Sequence, residues 1–363
     1  MQPHYRFYPS TEDFRDAFSR DRDRIIHSSY FRRLEYKTQV FLNSSGDYFR
    51  TRLTHSLEVS QIARTLSCHL GLNQNLAEAI ALAHDLGHTP FGHAGGDELD
   101  KVLKADGYSC GFEHNFQSFR VVTSLEKRYQ NFNGLNLCFA TLEGILKHSY
   151  PYEKPFLKDY YKETFKLNFH PSLEAIIVDL SDEIAYISHD IDDGIKYHLI
   201  DFDTLAESTL VKSCIEYVQK EEKISFKESI FRHRFTSRLI TLLVYDLLEH
   251  NPSFKQTTPQ CFVYPSHSPL PITHTKSIQK EIKILKKILF KYLYRHEEIY
   301  KKMFMGKLCI KKLYECLSND TALLPKDLQL KIEQGAKTHR ICADYIASMT
   351  DRYAIALYKE LGF

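Results

Sequence analysis

The sequence predicts an all-α fold, and two observations support this prediction. Its 363 residues include only 14 glycines and 12 prolines, so few positions would interrupt a helix. Apolar residues also recur every three or four positions over long stretches, which is the spacing of one face of an α-helix. Three such stretches are Leu57, Ile62, Leu66 and Leu70; Leu76, Ile80 and Ala83; and Ile176, Leu180, Ile184, Ile187 and Ile191.

The composition indicates an ordinary globular protein, with the cytoplasm as its expected location. Hydrophobic residues make up 43% and charged residues 26% of the chain, and no apolar run reaches the length of about 18 residues that crosses a membrane. The first ten residues lack the apolar region of a secretory signal. Eight scattered cysteines form no CxxC pair, which favours free thiols in a reducing compartment. The net charge of +2 is too small to steer nucleic acid, so an anionic ligand must be met by local charge.

Four polar or Gly- and Pro-containing segments are expected to interrupt the helices: 43–47, 92–96, 150–171 and 251–275. The last segment carries five prolines and is the best candidate for a linker. After it, residues 276–302 alternate basic with apolar residues, as a cationic amphipathic helix would. A solvated face over a packed stripe explains this pattern most simply, and contact with a nucleic-acid backbone or an acidic partner is the alternative.

A pair of metal-ligating residue types, His84 and Asp85, lies at the end of the alanine-rich stretch AEAIALAHDLGHTPFGHAGGDEL, residues 77–99. An imidazole and a carboxylate together suit a borderline or hard divalent metal ion. The chain holds a second pair, His189 and Asp190, so the dipeptide alone does not identify a metal site. The surroundings of each pair must decide between them.

Three features favour the first pair. Upstream, His55 lies near the start of another amphipathic helix, with Arg52 one turn before it. Downstream, Asp182 lies among the apolar residues of a helix, where a carboxylate is costly unless it is paired or bound to metal. Three more histidines follow the first pair and would suit acid or base catalysis around a bound phosphate. They are His88, His93 and His114.

Each of these residues also fits a purely structural role when it is taken singly. A histidine on an apolar face is more often a hydrogen-bonded core residue than a ligand, and this applies to His55. Asp182 is equally compatible with a helix cap or an arginine pair. Asp190, Asp192 and Asp193 look at first like the solvated acidic end of a helix. The joint occurrence of His, His-Asp and Asp in this order across four helical segments favours the metal site.

This order of residues resembles the HD superfamily of helical metal phosphohydrolases, and longer words are similar to its dGTPase-like branch, the deoxynucleoside triphosphate (dNTP) triphosphohydrolases. The words are FSRDRDRIIHSSYFRRLEYKTQVF (18–41), RTRLTHSLEVSQIART (50–65), HDLGHTPFGHAGGDEL (84–99), FEHNFQS (112–118), DEIAYISHDIDDG (182–194) and MTDRYA (349–354). The resemblance implies an HD-type phosphohydrolase core over residues 1–200. It also implies additional C-terminal helices over 201–363 that complete the core and supply oligomer contacts.

The resemblance implies hydrolysis of a dNTP, dGTP among them, to a deoxynucleoside and intact triphosphate, by attack of water at the α-phosphorus. It implies a divalent ion, Mn²⁺ or Mg²⁺ with Fe, Co, Ni or Zn as alternatives, bound by His55, His84, Asp85 and Asp182. The implied substrate contacts are Gln39 and Asp190 near the 3′-hydroxyl, Arg52 on phosphate, Tyr186 under the sugar, and Arg352 in the late MTDRYA word. In this scheme Tyr186 leaves no room for a 2′-hydroxyl.

The histidines after the first pair receive roles in the same scheme. His93 is expected to transfer a proton, and His88 and His114 to contact phosphate. The family often has an acidic residue three positions after the histidine that matches His93, whereas this chain has Gly96. We expect Asp97 to replace that acid, with Glu98 as the alternative. Without such a partner, activity would be weak or would depend on an activator.

Two rival functions remain open at this point. One is an HD phosphodiesterase or phosphomonoesterase acting on another nucleotide, for which a sugar-excluding Tyr186 would have no purpose. The other is a catalytically silent helical module that binds nucleotide or single-stranded DNA through the lysines near residues 283–291. The resemblance also implies a homo-oligomer, with a hexamer as one form, although the sequence itself does not decide the oligomeric state. The absence of a long apolar run predicts no membrane partner. Base preference, the native metal and activation by a second dNTP are not decided by the sequence.

Overall fold

The computed structural model describes residues 2–11, 13–39, 50–153, 157–256 and 258–363. Within these ranges the chain forms seventeen α-helices, and its only extended pairings are two isolated β-bridges, which confirms the predicted all-α class. The helices are α1 (Ala17–Ile26), α2 (Ser29–Arg33), α3 (Arg52–His69), α4 (Gln74–Ala83), α5 (Gly92–Ala105), α6 (His114–Arg120), α7 (Phe139–Leu146), α8 (Asp159–Phe165), α9 (Leu173–Lys196), α10 (Phe202–Leu205), α11 (Thr209–Lys220), α12 (Phe231–His250), α13 (Lys276–Ile288), α14 (Glu297–Asn319), α15 (Lys326–Glu333), α16 (Thr338–Ser348) and α17 (Asp351–Glu360). Every described helix is too short or too polar to cross a lipid bilayer.

Helices α3, α4 and α9 pack on one another and form the frame of the molecule. These are the three stretches whose apolar spacing predicts a helix, and their buried faces share one hydrophobic cluster that includes Leu66, Leu76, Ile80 and Ile184. Each of these four side chains is at most 1% exposed, so each removes most of its apolar surface from water. The packing brings the start of α3, the end of α4 and the middle of α9 toward a common point.

Local sequence fixes where these three helices start. Thr51 and Thr54 form a reciprocal cap at the start of α3, and Asn73 and Ser172 cap α4 and α9 with their side chains. Helix α4 ends at Ala83, so His84 and Asp85 follow directly in the turn, as the sequence predicts. A side chain at Gly87 would come within 2.1 Å of the Ser118 backbone nitrogen, so glycine allows α6 to approach this turn.

The predicted break at residues 92–96 is wrong, because these residues form the first turns of α5. The interruption lies earlier, between the end of α4 and Phe91, which has a positive φ of 63°. A Cβ at Gly95 would lie 2.0 Å from the Pro90 carbonyl oxygen, so this glycine permits a close contact inside a helix. The predicted break at residues 43–47 lies outside the described residues.

The C-terminal segments differ in detail from the prediction. The described part of 251–275 is non-helical, as expected, but it is held against the first half of the chain by Phe254 N to Leu70 O (2.8 Å) and His170 N to Tyr264 O (2.7 Å). The segment 150–171 contains the short helix α8. The single cationic helix predicted over 276–302 is two helices, because a π-helical turn, Leu289–Leu293, and three further residues separate α13 from α14.

Helices from both sides of residue 200 pack together: α12 against α9, and α14 against α5. The division into a core over 1–200 and a C-terminal region over 201–363 stays a prediction. The C-terminal helices nevertheless contribute to the walls of the region described next.

Candidate active site and metal centre

A compact group of metal-ligating atoms lies where α3, α4 and α9 meet. One ligand atom each from His55, His84 and Asp182 falls within 4.8 Å of the others. The Nε2 atom of His55 is 2.8 Å from Oδ1 of Asp182, and the Nε2 atom of His84 is 3.8 Å from the same oxygen. Three residues that are far apart in the sequence therefore face one point in space.

The orientation of His84 suits a metal ligand. Its Nδ1 atom lies 2.6 Å from the Ala81 carbonyl oxygen, which can only accept, so Nδ1 carries the proton and Nε2 keeps its lone pair. Nε2 is buried and has no hydrogen-bond partner among the described residues. A buried nitrogen lone pair that points at carboxylates is the donor a divalent cation requires. The residues present therefore fit the implied metal ion.

Asp85 lies beside this group and links it to Arg52. Its Oδ1 atom is 3.6 Å from Nε2 of His84 and 3.0 Å from Nε2 of His88, and its Oδ2 atom accepts from Arg52 Nη1 at 2.7 Å. Burial would raise the pKa of Asp85, but the nearby charges of Arg52, His84 and His88 hold it well below its ordinary value. Asp85 is therefore a carboxylate, shared between the metal-ligand group and the cation beside it.

Arg52 itself is nearly completely buried, at 1% exposure. Only its Nη1 atom is hydrogen-bonded; Nε and Nη2 are buried with no partner among the described residues. Unpaired guanidinium donors are costly in the protein interior, and the oxygens of an anion such as phosphate would satisfy them. The isolated bridge between Thr38 and Thr51 brings the two segments that contain Gln39 and Arg52 side by side. The amide oxygen of Gln39 is likewise buried and has no partner among the described residues.

The three other histidines also form one group. The ring centroids of His88 and His114 are 4.1 Å apart, and His93 lies 5.1 Å from His88 and 5.6 Å from His114. Burial and the charge of Arg52 hold the pKa of His88 well below the ordinary value. Burial and the nearby His93 do the same for the pKa of His114. Both are therefore neutral near pH 7 and can donate one hydrogen bond each. His93 is exposed and borders a cavity of about 320 Å³ that Gly96, Asp97 and Glu113 also line.

His93 lacks an observed orienting partner. No hydrogen bond joins its ring to Asp97 or Glu98 among the described residues. Desolvation by the surrounding protein and the charge of Arg52 lower the pKa of His93, and the charges of Asp85 and Asp97 only partly oppose this. A Cβ at Gly96 would meet only Thr89 Oγ1 at 3.7 Å and Phe112 Cε1 at 3.9 Å. Packing therefore does not exclude a side chain at position 96, and the role of Asp97 stays a prediction.

The predicted sugar contacts Tyr186 and Asp190 lie on successive turns of α9. The sequence does not reveal Tyr294, which donates a hydrogen bond to Oδ2 of Asp190 and stacks on Tyr186 with ring centroids 6.2 Å apart. Burial raises the pKa of Asp190 to about 7, and the bond from Tyr294 offsets only part of this. No local signal marks Tyr294, because tertiary packing alone brings the turn after α13 onto α9.

The acidic end of α9 is not solvated, in contrast to its first appearance in the sequence. Asp190, Asp192 and Asp193 are 3% to 5% exposed. Arg50 binds both Asp192 and Asp193, at 3.0 and 2.9 Å, and Arg232 also binds Asp192. These arginines explain how the carboxylates can be buried. They lie far from each other in the sequence, so the pairing could not be predicted.

His148 is a further residue near the metal-ligand group that the sequence analysis missed. It follows α7, is buried, and has its ring centroid 5.0 Å from that of His84. Its Nδ1 atom is 2.5 Å from Oδ1 of Asp179 and its Nε2 atom is 3.5 Å from Oδ2 of Asp182. Burial would lower the pKa of His148, but these carboxylates hold it well above the ordinary value. The three-residue spacing of Asp179 and Asp182 was the available signal.

In the late MTDRYA word, Asp351 connects the C-terminal region to two segments next to the candidate site. Its carboxylate accepts from the backbone nitrogens of Thr38 and Phe91, both at 3.0 Å, and so fixes the two segments that flank Arg52 and His93. Arg352, the predicted substrate contact, is exposed and lies over the ring of Tyr36 at 5.8 Å. Its predicted role is not tested by this arrangement.

Comparisons with known proteins agree with this geometry. The HD domain family matches residues 52–187, which include His55, His84, Asp85 and Asp182, and the phosphohydrolase-associated domain matches residues 272–360. The chain is 62% identical over 363 residues to a deoxyguanosinetriphosphate triphosphohydrolase-like protein of Wolinella succinogenes, with 99% of each chain covered. Proteins with the same name from Nitrosomonas europaea and Geobacter sulfurreducens are 45% and 44% identical, over 96% and 98% of this chain and 91% of theirs.

Proposed function

This chain belongs to the deoxyguanosinetriphosphate triphosphohydrolase-like proteins of the HD domain family, and from that premise we propose that it is a metal-dependent dNTP triphosphohydrolase. The proposed substrates are deoxynucleoside triphosphates, dGTP among them. The proposed products are the deoxynucleoside and intact inorganic triphosphate. The observation that carries the proposal is the buried group of His55, His84 and Asp182 next to the unpaired donors of Arg52.

The proposed metal ligands are His55, His84, Asp85 and Asp182. Two imidazoles and two carboxylates suit Mn²⁺ or Mg²⁺, and Fe, Co, Ni and Zn are compatible with the same donors. When bound, a divalent ion would supply Lewis acidity to a phosphoryl oxygen and would help to neutralise the triphosphate. Asp85 has a second task, because its other oxygen holds Arg52 at 2.7 Å. It therefore couples the position of the ligand group to that of the phosphate-binding cation.

The phosphate side of the proposed site is built from Arg52, His88 and His114. His88 is a proposed phosphate contact, although its single N–H faces Oδ1 of Asp85 at 3.0 Å and would have to turn to phosphate. The free Nε and Nη2 donors of Arg52 would meet the α-phosphate, and neutral His114 would donate to a phosphate oxygen. Such donors stabilise the charge that grows on these oxygens as water attacks. Because they are fixed in the folded protein, little reorganisation is needed during the reaction.

His93 is the proposed proton donor. In the proposed step the oxygen of water forms a bond to the α-phosphorus, and the bond from that phosphorus to O5′ of the deoxyribose breaks. The electron pair of the broken bond goes to O5′, and protonated His93 supplies the proton that makes it a hydroxyl. The attacking water releases one proton, which restores protonated His93. Acid assistance of this type contributes about 10²- to 10⁴-fold to rate. Asp97 is the proposed orienting residue for His93.

Gln39, Tyr186 and Asp190 are the proposed sugar contacts, and Arg352 is a further proposed substrate contact. Gln39 offers a buried amide oxygen without a described partner, which suits a sugar hydroxyl. Tyr186 and Asp190 lie on α9 beyond Asp182, so a nucleotide whose phosphate meets the ligand group could extend its sugar along this helix. These sugar contacts favour a deoxynucleotide substrate over a substrate that is recognised through its phosphate groups alone.

Product analysis tests the proposal directly. The purified protein should be incubated with Mn²⁺ or Mg²⁺ and each of the four dNTPs, with and without a second dNTP as activator, and the products separated by chromatography. We expect triphosphate and deoxynucleoside, and we expect EDTA or Asp85→Ala to abolish them. The exposed Asp159 offers a control, since Asp159→Ala should retain full activity. Release of pyrophosphate or single phosphates would instead favour the phosphodiesterase or phosphomonoesterase alternative.

A second proposal concerns the basic face of α13. Lys276, Lys280, Lys283 and Lys287 are all exposed on this helix, and Lys291 continues the series. Such a series of exposed cations suits the backbone of single-stranded DNA. Fluorescence anisotropy with a labelled oligonucleotide at rising salt tests this, because salt-independent or absent binding would contradict it.

Homo-oligomerisation, including a hexamer, is likewise a proposal, and light scattering of the purified protein measures it.

A further inference from the structure

His148 lies between two carboxylates of α9 and next to the proposed metal ligands. Its side chain is 6% exposed, and each ring nitrogen faces a different aspartate. Nδ1 contacts Asp179 at 2.5 Å, and Nε2 faces Oδ2 of Asp182 at 3.5 Å. The metal-ligand group contains Asp182 but not His148, and the imidazole contacts the group through Oδ2 of Asp182.

The two oxygens of Asp182 face different neighbours. Oδ1 lies 2.8 Å from His55 and 3.8 Å from His84, whereas Oδ2 faces His148. A carboxylate can turn about its side-chain bonds, so a partner on one oxygen fixes the direction of the other. A contact of Oδ2 with His148 would therefore favour the orientation in which Oδ1 points toward the two histidines.

His148 is fixed in its turn by Asp179. Asp179 precedes Asp182 by one helical turn on the rigid helix α9, and it also accepts from the backbone nitrogen of Ser149 at 3.1 Å. One nitrogen of the imidazole is thus in close contact with a carboxylate that the Ser149 backbone nitrogen also holds. The chain Asp179, His148 and Asp182 has the arrangement by which proteins orient a metal ligand through a residue that does not touch the metal.

We propose that His148, anchored by Asp179, is a positioning residue that holds Asp182 in the geometry needed to bind the divalent ion. This inference rests on the proposed metal site and adds two residues to it. Loss of such outer partners elsewhere lowers metal affinity by about 10- to 100-fold. His148→Ala is expected to weaken metal binding by this factor, and Asp179→Asn by less, because the asparagine still fits the space.

The test uses Mn²⁺ alone, without nucleotide, on the full-length protein after removal of its metal. Titration followed by electron paramagnetic resonance gives the dissociation constant for wild type, His148→Ala, His148→Gln and Asp179→Asn. His148→Gln retains a donor that can reach Asp182, so it should bind more tightly than His148→Ala. The same spectra report the nitrogens coordinated to Mn²⁺, and wild type and His148→Ala should both show two.

His274 provides a matched control. Its side chain is 1% exposed and its Nδ1 atom contacts Asp246 at 2.7 Å, so it is an equally buried histidine–aspartate pair outside the metal-ligand group. His274→Ala should destabilise the fold in a thermal melt yet leave Mn²⁺ affinity unchanged. An equal loss of affinity in His274→Ala and His148→Ala would mean that general destabilisation is responsible, and would overturn the inference.

The remaining outcomes separate this inference from the proposed function. If wild type binds Mn²⁺ and His148→Ala binds it equally well, the positioning role is refuted while the metal site stands. If wild type shows three coordinated nitrogens and His148→Ala two, His148 is a ligand and the positioning role is also refuted. If wild type binds no metal, both the proposed function and this inference fail.

Discussion

The substitution Asp190→Asn is expected to stabilise the protein near neutral pH, by an amount that grows as the pH rises. Asp190 is 3% exposed and accepts a hydrogen bond from Tyr294. Burial raises the pKa of its carboxyl from 3.8 to about 7, and the Tyr294 bond only partly opposes this. Asparagine keeps an acceptor for Tyr294 and has nearly the same shape, but it carries no ionisable group.

The sign and size of the effect follow from the two pKa values. Below pH 3.8 the carboxyl is protonated in the folded and unfolded chains alike, so it does not change stability. Between pH 3.8 and about 7 the unfolded chain has released the proton that the folded chain retains, so stability falls as the pH rises. Above about pH 7 the cost is complete. Each pKa unit corresponds to about 1.4 kcal/mol, so a difference of about 3 between the folded and unfolded chains lowers the free energy of unfolding by about 4 kcal/mol.

Urea unfolding of metal-free wild type and Asp190→Asn, at pH values on both sides of this interval, measures the difference in free energy. Other titrating groups are common to both proteins and cancel in that difference. The exposed Asp159 supplies a control, because Asp159→Asn makes the same chemical change at the surface and should leave the free energy of unfolding close to that of wild type. A stability gap for Asp190→Asn that does not change with pH would refute the reasoning.

Three further predictions concern the proposed site. Arg52→Lys should lower kcat/KM for dGTP by about 10- to 100-fold in steady-state assays, because lysine cannot reproduce two charge-assisted hydrogen bonds of a planar guanidinium, and an unchanged value would remove Arg52 from phosphate binding. Tyr186→Ala should reduce the preference for dGTP over GTP by at least about 10-fold in competition assays, because it opens space beside the sugar; undiminished rejection of GTP would contradict this. Gly96→Asp should raise kcat severalfold by orienting His93, since the Cβ has 3.7 Å or more of clearance, whereas a folded variant with unchanged kcat would show that this chain does not need the acid.

Much of the frame could be predicted from the sequence, because it depends on local periodicity and residue type. The apolar spacing predicted helices α3, α4 and α9. The order of His, His-Asp and Asp pointed to His55, His84 and Asp182, whose ligand atoms lie within 4.8 Å of one another in the structure. Asp85 was predicted as a ligand, but its pairing with Arg52 and His88 was not. The spacing places each residue on its helix, whereas its partners depend on how the helices cross.

The errors and omissions come from long-range packing. The glycines near Gly95 suggest a loop, yet glycine is needed there because Pro90 approaches within 2.0 Å of the Cβ position. Asp192 looks solvated until Arg50 and Arg232 are brought to it from distant segments. Tyr294 has no signal of its own, since an aromatic residue in an amphipathic segment is ordinarily a packing residue.

The charges of the proposed site divide into two parts that need each other. The carboxylates of Asp85 and Asp182 face two buried histidines and together suit a bound cation. Arg52, with two unpaired donors, suits a bound anion. Asp85 belongs to both parts, because it contacts Arg52 through one oxygen and faces His84 and His88 through the other. A cation drawn to Asp85 competes with Arg52 for its charge and leaves the guanidinium more available to phosphate. By linkage, a triphosphate that engages Arg52 must then favour the cation equally, so metal and substrate affinities rise together.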